Sequence, residues 1–290
     1  LGHLKAPPNS MLLVADSGST KADWKFRNNE EPIVSTRGFN PFFHGRDFVL
    51  AELEASPLKG LVGQVDEVRF FGAGCSSKER NLLIQKPLEE FFRGAKVTVD
   101  HDILGAGIAC VGDDEGIACI IGTGSNSCYC KDQQWSQVVP ALGHLLGDEA
   151  SGSYLGRRML ADYLYKLLPD RIASEMHKEY GLTKEGIFES AYHKPDVNVY
   201  FASFARLLSK YLDEPYVRQV VTEGFHRFLD IHVMRYPRVH DLTVHFVGSI
   251  AYHFEPLLDE VLATKGLRKG GVHKKPIHPL YAYYASKRGS

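Results

Sequence analysis

The sequence contains no long apolar run, few cysteines and almost no net charge. None of its apolar stretches reaches about 18 residues, the length of a membrane-spanning helix, so no membrane partner is expected. The formal net charge of −1 over 290 residues gives no overall field toward a polyanion, so no nucleic-acid partner is expected either. Five cysteines, an odd number without the spacing of a disulfide framework, indicate reduced thiols and a cytoplasmic protein.

Common metal and nucleotide motifs are also missing. The 13 histidines are scattered without an HExxH pair, and Cys128 and Cys130 have no two further ligands at short spacing, so no structural metal is predicted. No GxxxxGKS or GxxxxGKT segment could form a P-loop, and no GxGxxG opens a βαβ unit. These absences exclude the commonest phosphate and dinucleotide sites.

The first ten residues, LGHLKAPPNS, lack the charged start and the apolar core of a signal peptide. Met11 is interpreted as the natural start, and residues 1–10 as a leader or tag remnant or a disordered extension. They are left outside the fold prediction.

Strand-like and helix-like segments alternate after residue 36. The hydrophobic pattern predicts a helix over 47–55, a strand over 65–71, a helix over 77–92, a strand over 96–99 and a helix over 105–111. Three strands, at 11–16, 22–26 and 32–36, precede them. Three strands followed by alternating helices and strands predict an α/β domain.

The same pattern then begins again. Residues 116–121 form an apolar strand, 122–127 a small polar turn, and 128–131 a second strand, as in the opening stretch 11–26. The two turns, at Gly18 and Gly122, lie 104 positions apart. A repeated strand-turn-strand unit indicates two domains of related design.

The predicted boundary between the domains lies near Asp114. We expect one domain over 11–114 and another over 115–275, with the segment 276–286 packing back onto the first. The second domain continues with a helix over 151–168, further helices through Tyr236, a strand over 242–247 and a helix near Ala251.

Both turns are rich in glycine and hydroxyl-bearing residues. Glycine lets the backbone approach a ligand, and exposed N–H and hydroxyl groups donate to phosphate oxygens, so two such turns predict a phosphate cradle. Asp16, at the end of the first strand, suits Mg²⁺ directly or through water. The alternative is that both segments are ordinary glycine-rich turns.

Four segments resemble a known superfamily. Residues 16–21 (DSGSTK) and 122–127 (GTGSNS) resemble the two phosphate motifs of the actin, heat-shock chaperone and sugar kinase superfamily, and 246–250 (FVGSI) resembles its adenosine motif. The segment 143–156 (GHLLGDEASGSYLG) resembles the N-acetylglucosamine kinases and BadF/BadG-type ATPases, especially the shorter bacterial members. The resemblance implies an α/β fold of two ribonuclease H-like (actin-like ATPase) domains with a central cleft, where ATP and sugar meet.

The resemblance also implies a reaction, transfer of the ATP γ-phosphoryl group to the 6-hydroxyl of an amino sugar with Mg²⁺. N-acetylglucosamine is the expected sugar, and a homodimer is a candidate state because family members are often dimers. Asp102, in VDHDILGAG, matches the catalytic aspartate that would act as base, with Asp100 as the neighbouring candidate. The alternative for Asp102 is a helix N-cap.

The matched motifs imply the binding residues. They include Asp148 for the sugar; the alternative for this residue is that Asp148 and Glu149 form a capping pair before a helix. The residues implied for ATP are Asp16 (also for Mg²⁺), Gly18, Ser19, Thr20, Lys21, Gly122, Thr123, Gly124, Gly248 and Ser249. The residues implied for the sugar are Asn40, Asp102, Ser125, Asn126 and Asp148.

Two departures from the family pattern concern the choice of sugar. Animal N-acetylglucosamine kinases have Gly-Gly-Trp where this chain has residues 140–142 (PAL). A glycine that contacts the nucleotide in those enzymes corresponds to a position near Ser209 in this chain.

Two other functions remain open from the sequence. One is a BadF-type ATPase that activates a partner through an iron–sulfur cluster, and the other is a sugar-binding pseudokinase.

Overall fold

The structure is a computed structural model that describes residues 11–27, 32–132 and 134–288. The interpreted leader, residues 1–10, lies outside the described residues. The chain forms two compact units. The first runs up to Asp114 and includes Lys131–Trp135 and the chain from Lys275 onward, and the second consists of Glu115–Cys130 and Ser136–Lys274.

Strands and helices alternate along the described chain. The strands are β1 (Met11–Ser17), β2 (Lys21–Phe26), β3 (Val34–Arg37), β4 (Val65–Gly72), β5 (Lys96–His101), β6 (Glu115–Ile121), β7 (Ser125–Lys131), β8 (Gln134–Ser136), β9 (Thr243–Val247) and β10 (Arg268–His273). The helices are α1 (Arg46–Glu54), α2 (Lys78–Phe91), α3 (Asp102–Cys110), α4 (Gly143–Leu146), α5 (Gly152–Leu164), α6 (Asp170–Tyr180), α7 (Lys184–Tyr192), α8 (Val197–Leu208), α9 (Pro215–Phe228), α10 (Ser249–His253), α11 (Glu255–Thr264) and α12 (Ile277–Arg288). A π-helical turn, Leu229–Val233, continues α9.

The sheet of the first unit has the strand order β3-β2-β1-β4-β5. Strand β1 pairs antiparallel with β2 and β2 antiparallel with β3, whereas β1 with β4 and β4 with β5 are parallel. The register aligns Asp16 with Phe71 and Phe71 with Asp100. The carboxyl ends of β1, β4 and β5 therefore meet at one edge of the sheet.

Strand β1 is buried on both faces, which explains its nearly continuous apolar sequence. Leu13 and Ala15 belong to the main core of the unit, which also contains residues of α1 and α2. Leu12 and Val14 point to the opposite face and belong to a smaller cluster with Ile277 of α12. Helix α12 thus covers the second face of this sheet.

The sheet of the second unit has the order β10-β9-β6-β7-β8. Read from the other end, this order corresponds strand by strand to that of the first sheet. Strand β9 is parallel to both β6 and β10, as β4 is parallel to both β1 and β5. Each turn predicted to bind phosphate therefore follows the middle strand of its own sheet.

Helices of the second unit pack on one face of its sheet. Ile117, Cys119 and Ile121 alternate along β6 and belong to a single apolar cluster. The cluster also contains buried residues of the helices, among them Met159 of α5, Phe204 of α8, Phe225 of α9 and Leu258 of α11. No helix in the described part of the chain is long and apolar enough to cross a membrane.

The predicted α/β class is confirmed, with differences at several element ends. Helix α3 begins at Asp102 rather than at residue 105, because the chain turns into the helix directly after β5. Strand β7 begins at Ser125 rather than at residue 128, because this polar segment is buried and continues the hairpin from β6. The basic segment after α11 contains a strand, β10, at the edge of the sheet.

Candidate functional site

The turn between β1 and β2 is closed by backbone hydrogen bonds. Gly18 N donates to Lys21 O at 2.9 Å, and Gly38 N donates to Thr20 O at 3.2 Å. A Cβ atom on Gly38 would lie 2.1 Å from Gly18 O, so only glycine allows the chain to approach the turn there. Gly18 and Thr20 are exposed and Ser19 is half-buried. The tip of the predicted phosphate turn therefore faces solvent.

Asp16 lies among carboxylates at the edge of the first sheet. It is aligned with Asp23 on β2, and Asp102 is close enough to act on its charge. Burial, followed by the negative charges of Asp102 and Asp23, raises the pKa of Asp16 to about 7. The sheet edge thus concentrates negative charge at the residue predicted to bind Mg²⁺.

Asp23, in contrast, is neutralised by neighbouring side chains. Lys21 Nζ lies 2.7 Å and Lys275 Nζ 3.1 Å from its two carboxylate oxygens, and Ser35 Oγ donates to it at 2.8 Å. Burial alone would raise the pKa of Asp23, but these three hydrogen bonds outweigh it and hold the pKa below its usual value. Lys21, predicted to contact ATP, is therefore paired with a carboxylate.

Asp102, the predicted base, occupies the first turn of α3. The N-cap of this helix is His101, whose Nδ1 lies 3.2 Å from Ile103 N and 2.6 Å from Asp102 Oδ1. The alternative that Asp102 is the N-cap is therefore wrong. Burial lowers the pKa of His101, but the close contact with the Asp102 carboxylate raises it by more. The pKa of Cys75 rises to about 12 through burial and then through the charges of Asp102 and Asp100.

Asn40, predicted to bind the sugar, is buried in the loop after β3. Its Oδ1 accepts a hydrogen bond from Phe42 N at 3.0 Å, and its own backbone N donates to His44 Nδ1 at 3.2 Å. A Cβ atom on Gly74, which follows β4, would lie 2.6 Å from Asn40 Oδ1. The side chain is therefore held in one orientation against the loop after β4.

The turn between β6 and β7 is supported by the start of α5. Gly122 N donates to Gly124 O at 2.9 Å, which closes the turn. Gly152 N donates to Gly122 O at 2.7 Å, and Ser153 N donates to Thr123 O at 3.1 Å. The second predicted phosphate turn thus rests on backbone donors from the first residues of a helix.

Gly248, predicted to approach the nucleoside, lies against this second turn. Its φ is +118°, a value that L side chains rarely adopt, and a Cβ atom there would lie 2.4 Å from Ile121 O and 3.0 Å from Gly122 N. Ser249 follows it as the exposed first residue of α10. The structure therefore brings two of the predicted ATP-binding segments together in the second unit.

Asp148 lies beside the same turn. Ser125 N donates to its Oδ1 at 3.2 Å, and a Cβ atom on Gly124 would lie 3.0 Å from its Oδ2. Burial raises the pKa of Asp148 to about 6, with a further rise from Glu149 and an opposing hydrogen bond from Ser125. Its φ of +55° is unusual outside glycine, and such strain is often found at functional sites.

Ser125 and Asn126 are buried next to Asp148 at the start of β7. Ser125 Oγ has no hydrogen-bond partner among the described residues. Asn126 Oδ1 accepts from Ser127 N at 2.9 Å and from Gln137 Nε2 at 2.5 Å, and Gln137 Nε2 also donates to Ser127 O at 3.0 Å. Gln137 therefore fixes the Asn126 amide, a role that its place in an irregular segment gave no signal for.

A second unpredicted pair lies behind Asp148. Glu149 and His232 are both buried, and His232 Nε2 lies 3.0 Å from Glu149 Oε2. Arg227 Nε lies 3.7 Å from the other oxygen of Glu149. The residues are far apart in sequence, and His232 belongs to a π-helical turn that no periodicity indicates. The Glu149 carboxylate therefore interacts with the end of α9 and the turn that follows it.

The predicted site residues thus form two groups, one in each unit. The first unit brings together Asp16 and Asp102, with the β1–β2 turn at the end of β1. The second unit brings together the β6–β7 turn, Gly248 and Asp148. Asn40 belongs to the first unit and lies by the loop after β4.

Solved structures resemble this chain along nearly its whole length. The Porphyromonas gingivalis protein named “Putative N-acetylglucosamine Kinase” is 36% identical over 95% of this chain and 99% of that chain, with a TM-score of 0.89. The Chromobacterium violaceum protein of the same name is 16% identical over 96% and 100%, with a TM-score of 0.69. A ROK family glucokinase from Streptomyces griseus, in complex with glucose and AMPPNP, is 14% identical over 96% and 100%, with a TM-score of 0.54. No family model and no curated protein matches the chain.

The two more distant structures share the fold alone, and they confirm the predicted fold of two actin-like ATPase domains. None of the three is described as a BadF/BadG-type ATPase, so that part of the resemblance stays a prediction. The first match is close enough in sequence and coverage to show a common family. The chain therefore belongs to the same sugar kinase family as the Porphyromonas gingivalis protein.

Proposed function

We propose that the chain is an ATP- and Mg²⁺-dependent kinase that phosphorylates the 6-hydroxyl group of an amino sugar, N-acetylglucosamine. The observation that carries this proposal is the proximity of Asp102 to Asp16 in the first unit, where the charge of Asp102 contributes to the raised pKa of Asp16. Phosphoryl transfer to a hydroxyl needs a base for the hydroxyl and a carboxylate near the metal on the phosphates. These two aspartates supply both groups.

Asp102 is the proposed base. As the sugar oxygen attacks the γ-phosphorus, its O–H bond breaks and the proton passes to the Asp102 carboxylate. Asp102 is the first residue of α3 and directly follows strand β5, at the sheet edge where β1 also ends. This places the proposed base in the same unit as Asp16.

Asp16 is the proposed partner of Mg²⁺. Burial and two neighbouring carboxylates raise its pKa, and a cation beside it would relieve that repulsion, so the residues fit the ion. In the described part of the chain no three His, Cys, Asp or Glu side chains form a group that could hold a metal. This agrees with an ion bound through one carboxylate, waters and the phosphates of ATP. When bound, Mg²⁺ would neutralise charge on the transferring phosphates.

The two glycine-rich turns are the proposed phosphate-binding elements. Thr20 and Thr123 would donate hydroxyl hydrogen bonds to phosphate oxygens, together with the backbone N–H groups around Gly18 and Gly124. The glycine at position 248 would let the backbone approach the nucleoside. Its close packing on the β6–β7 turn supports a common ATP-binding role for the two segments.

Sugar binding is assigned to Asn40, Ser125, Asn126 and Asp148, as well as Asp102. Ser125 Oγ is buried without a partner among the described residues, which is costly unless a ligand group pairs with it. Asp148 is a hydrogen-bond acceptor for sugar hydroxyls when ionised. The amide of Asn126 is already oriented by Gln137, so little freedom is lost on binding.

N-acetylglucosamine is proposed because the 36% identical relative carries that substrate in its name. Leu142 is exposed and belongs to the segment 140–142, where animal enzymes have Gly-Gly-Trp; Leu145 and Leu146 of the adjoining helix α4 are exposed as well. Arg157 holds this segment, since its Nη1 donates to His144 O at 2.9 Å. An aliphatic surface here would contact the sugar less specifically than an aromatic ring.

The experiment is an ADP-release assay with ATP, Mg²⁺ and a panel of sugars. N-acetylglucosamine, glucosamine, N-acetylmuramic acid, N-acetylmannosamine and glucose should be compared at equal concentrations, with Asp102→Asn as the control variant. We expect the highest kcat/KM with N-acetylglucosamine and a 6-phosphate product. A preference for another sugar would correct the substrate, whereas ADP release that no sugar stimulates would contradict the kinase assignment.

The BadF-type alternative receives no support from the cysteines. Cys128 and Cys130 are buried in β7 with their Sγ atoms 3.2 Å apart, which does not favour a cluster that bridges two chains. A cytoplasmic location, expected from the cysteine content, and a homodimer, expected from the family resemblance, remain predictions.

A further inference from the structure

The π-helical turn Leu229–Val233 interrupts the regular helix at the end of α9. Such turns are rare and occur frequently at functional sites. Its residue His232 is only 3% exposed, and its ring is stacked on that of Phe228 with the ring centres 5.2 Å apart. The turn therefore holds an imidazole inside the second unit.

His232 contacts the neighbours of two residues that are proposed to bind the sugar. Its carbonyl oxygen accepts a hydrogen bond from Ser127 Oγ at 2.8 Å, and Ser127 follows Asn126 on β7. Its Nε2 lies 3.0 Å from Oε2 of Glu149, which follows Asp148. One residue thus links the two segments that carry the sugar-binding side chains of this unit.

The ring of His232 is the donor in its contact with Glu149. A carboxylate only accepts hydrogen bonds, so Nε2 carries the proton. Nδ1 is buried without a partner among the described residues, and a proton there would be a costly unpaired donor, so the neutral ring fits this environment. Arg227 is mostly exposed and lies 3.7 Å from the other carboxylate oxygen. His232 is therefore the buried anchor of Glu149.

The backbone on either side of Glu149 is strained. Asp148 and Ala150 have φ values of +55° and +62°, in the left-handed region that residues other than glycine rarely adopt. Such a conformation persists only where surrounding contacts hold it. Ala150 is packed in the apolar cluster of the unit and Glu149 is held by His232, so the segment depends on both contacts.

We propose that His232 is a positioning residue for the sugar site, a role that rests on the proposed kinase function. Its Nε2–H holds Glu149 and with it the strained segment that contains Asp148, and its carbonyl group holds Ser127 beside Asn126. Asp148 and Asn126 are thereby kept at a fixed separation, so that both can bind the same sugar.

Two substitutions test the donor role of the ring. His232→Leu removes Nε2–H, whereas His232→Gln has an amide nitrogen as many bonds from Cβ as Nε2 and can still donate to Glu149. For the sugar that gives the highest kcat/KM in the ADP-release assay, we expect KM to rise about 10- to 100-fold in His232→Leu with KM for ATP little changed, because Asp148 is displaced. His232→Gln should recover most of that loss. His240→Leu, the same exchange at an exposed position, is the control and should leave both KM values unchanged.

A double variant separates positioning from stability. His232→Leu alone leaves the Glu149 carboxylate buried without its donor, which destabilises the fold. In Glu149→Leu/His232→Leu a hydrophobic pair replaces the polar one, so the melting temperature should stay close to that of the wild type while KM for the sugar still rises. Wild-type KM for the sugar in the double variant would overturn the proposal. Equal losses in His232→Leu and His232→Gln, or an equal rise in KM for ATP, would overturn it as well.

A thermodynamic arm does not depend on turnover. The free energies of unfolding of His232→Leu, Glu149→Leu and the double variant, measured in urea, form a double-mutant cycle. The loss in the double variant should be smaller than the sum of the single losses, because each single variant leaves a buried polar group unpaired. Additive losses would overturn the proposal. If no sugar stimulates ADP release yet the losses are non-additive, the kinase assignment and the positioning role fail and the His232–Glu149 contact stands.

Discussion

The two turns at the middle strands of the two sheets have the same topology and different chemistry. The β1–β2 turn follows a carboxylate, Asp16, whose pKa is raised by two further carboxylates. The β6–β7 turn follows isoleucines, Ile120 and Ile121, and is supported by backbone donors of α5 and by Gly248. The repeated fold places both predicted phosphate turns after the middle strand of a sheet. The residues at the strand end differ, with carboxylates in the first unit and backbone hydrogen bonds in the second.

The largest expected effect on activity comes from the first unit, where carboxylates lie beside the β1–β2 turn. Asp102→Asn removes the proposed base and preserves the size of the side chain, so sugar-dependent ADP release should fall by about 10²- to 10⁴-fold. ATP binding, measured by calorimetry, should remain. Near-normal turnover in this variant would show that the first unit does not supply the base.

The next effect tests whether the two turns depend differently on glycine. Gly248→Ala should lower the free energy of unfolding by about 1 to 3 kcal/mol or more, because φ is +118° and the Cβ would lie 2.4 Å from Ile121 O. Gly18→Ala is the matched control, because the nearest atom to its Cβ would be 3.8 Å away, and it should change stability by about 0.5 kcal/mol or less. Urea unfolding of both variants provides the measurement. Equal losses would contradict the difference between the turns.

A smaller effect is expected from the support of Asn126. Gln137→Ala removes the donor that fixes Asn126 Oδ1, and one hydrogen bond is worth about 0.5 to 1.5 kcal/mol. KM for the sugar should rise about 2- to 10-fold while KM for ATP changes little. Gln134→Ala, at an exposed position on β8, is the control and should have no effect.

The last test concerns stability alone and is a pH dependence of unfolding in the second unit. The pKa of Asp148 is about 6 in the folded protein and 3.8 in a model peptide, so the unfolded chain loses this proton first as pH rises. The folded state is therefore penalised progressively from about pH 4 to 6, and constantly above. Asp148→Asn should be more stable than the wild type at pH 7 and similar to it at pH 4, and Asn tolerates the φ of +55°. Urea unfolding at both pH values measures this, and an equal gain at both would contradict the assigned pKa.

The sequence predicted the repeat because its signal is local. Each glycine-rich turn lies directly after a short apolar strand, and the polar residues around Gly18 and Gly122 end the apolar pattern of that strand. Asp102 was singled out through the resemblance of its segment to a family motif. The close contact of Asp102 with its neighbour His101 was not predicted, because it depends on the angle at which α3 leaves β5.

The unpredicted residues of the second unit depend on distant contacts. Gln137 reaches Asn126 from an irregular segment, and His232 reaches Glu149 from a π-helical turn 83 positions away. Periodicity reports which face of an element is buried but not which polar group on another element meets it. The strand β10 was missed for a related reason, because an edge strand with a basic, glycine-containing sequence has the composition of a loop.

The position of helix α12 in the chain affects how the first unit folds during synthesis. Its residue Ile277 closes the face of β1 formed by Leu12 and Val14, at the opposite end of the described chain. During synthesis on the ribosome these apolar side chains emerge before the second unit, and their cover emerges after it. The first unit therefore cannot complete its core before the second unit has been translated, and until then its central strand leaves one apolar face uncovered.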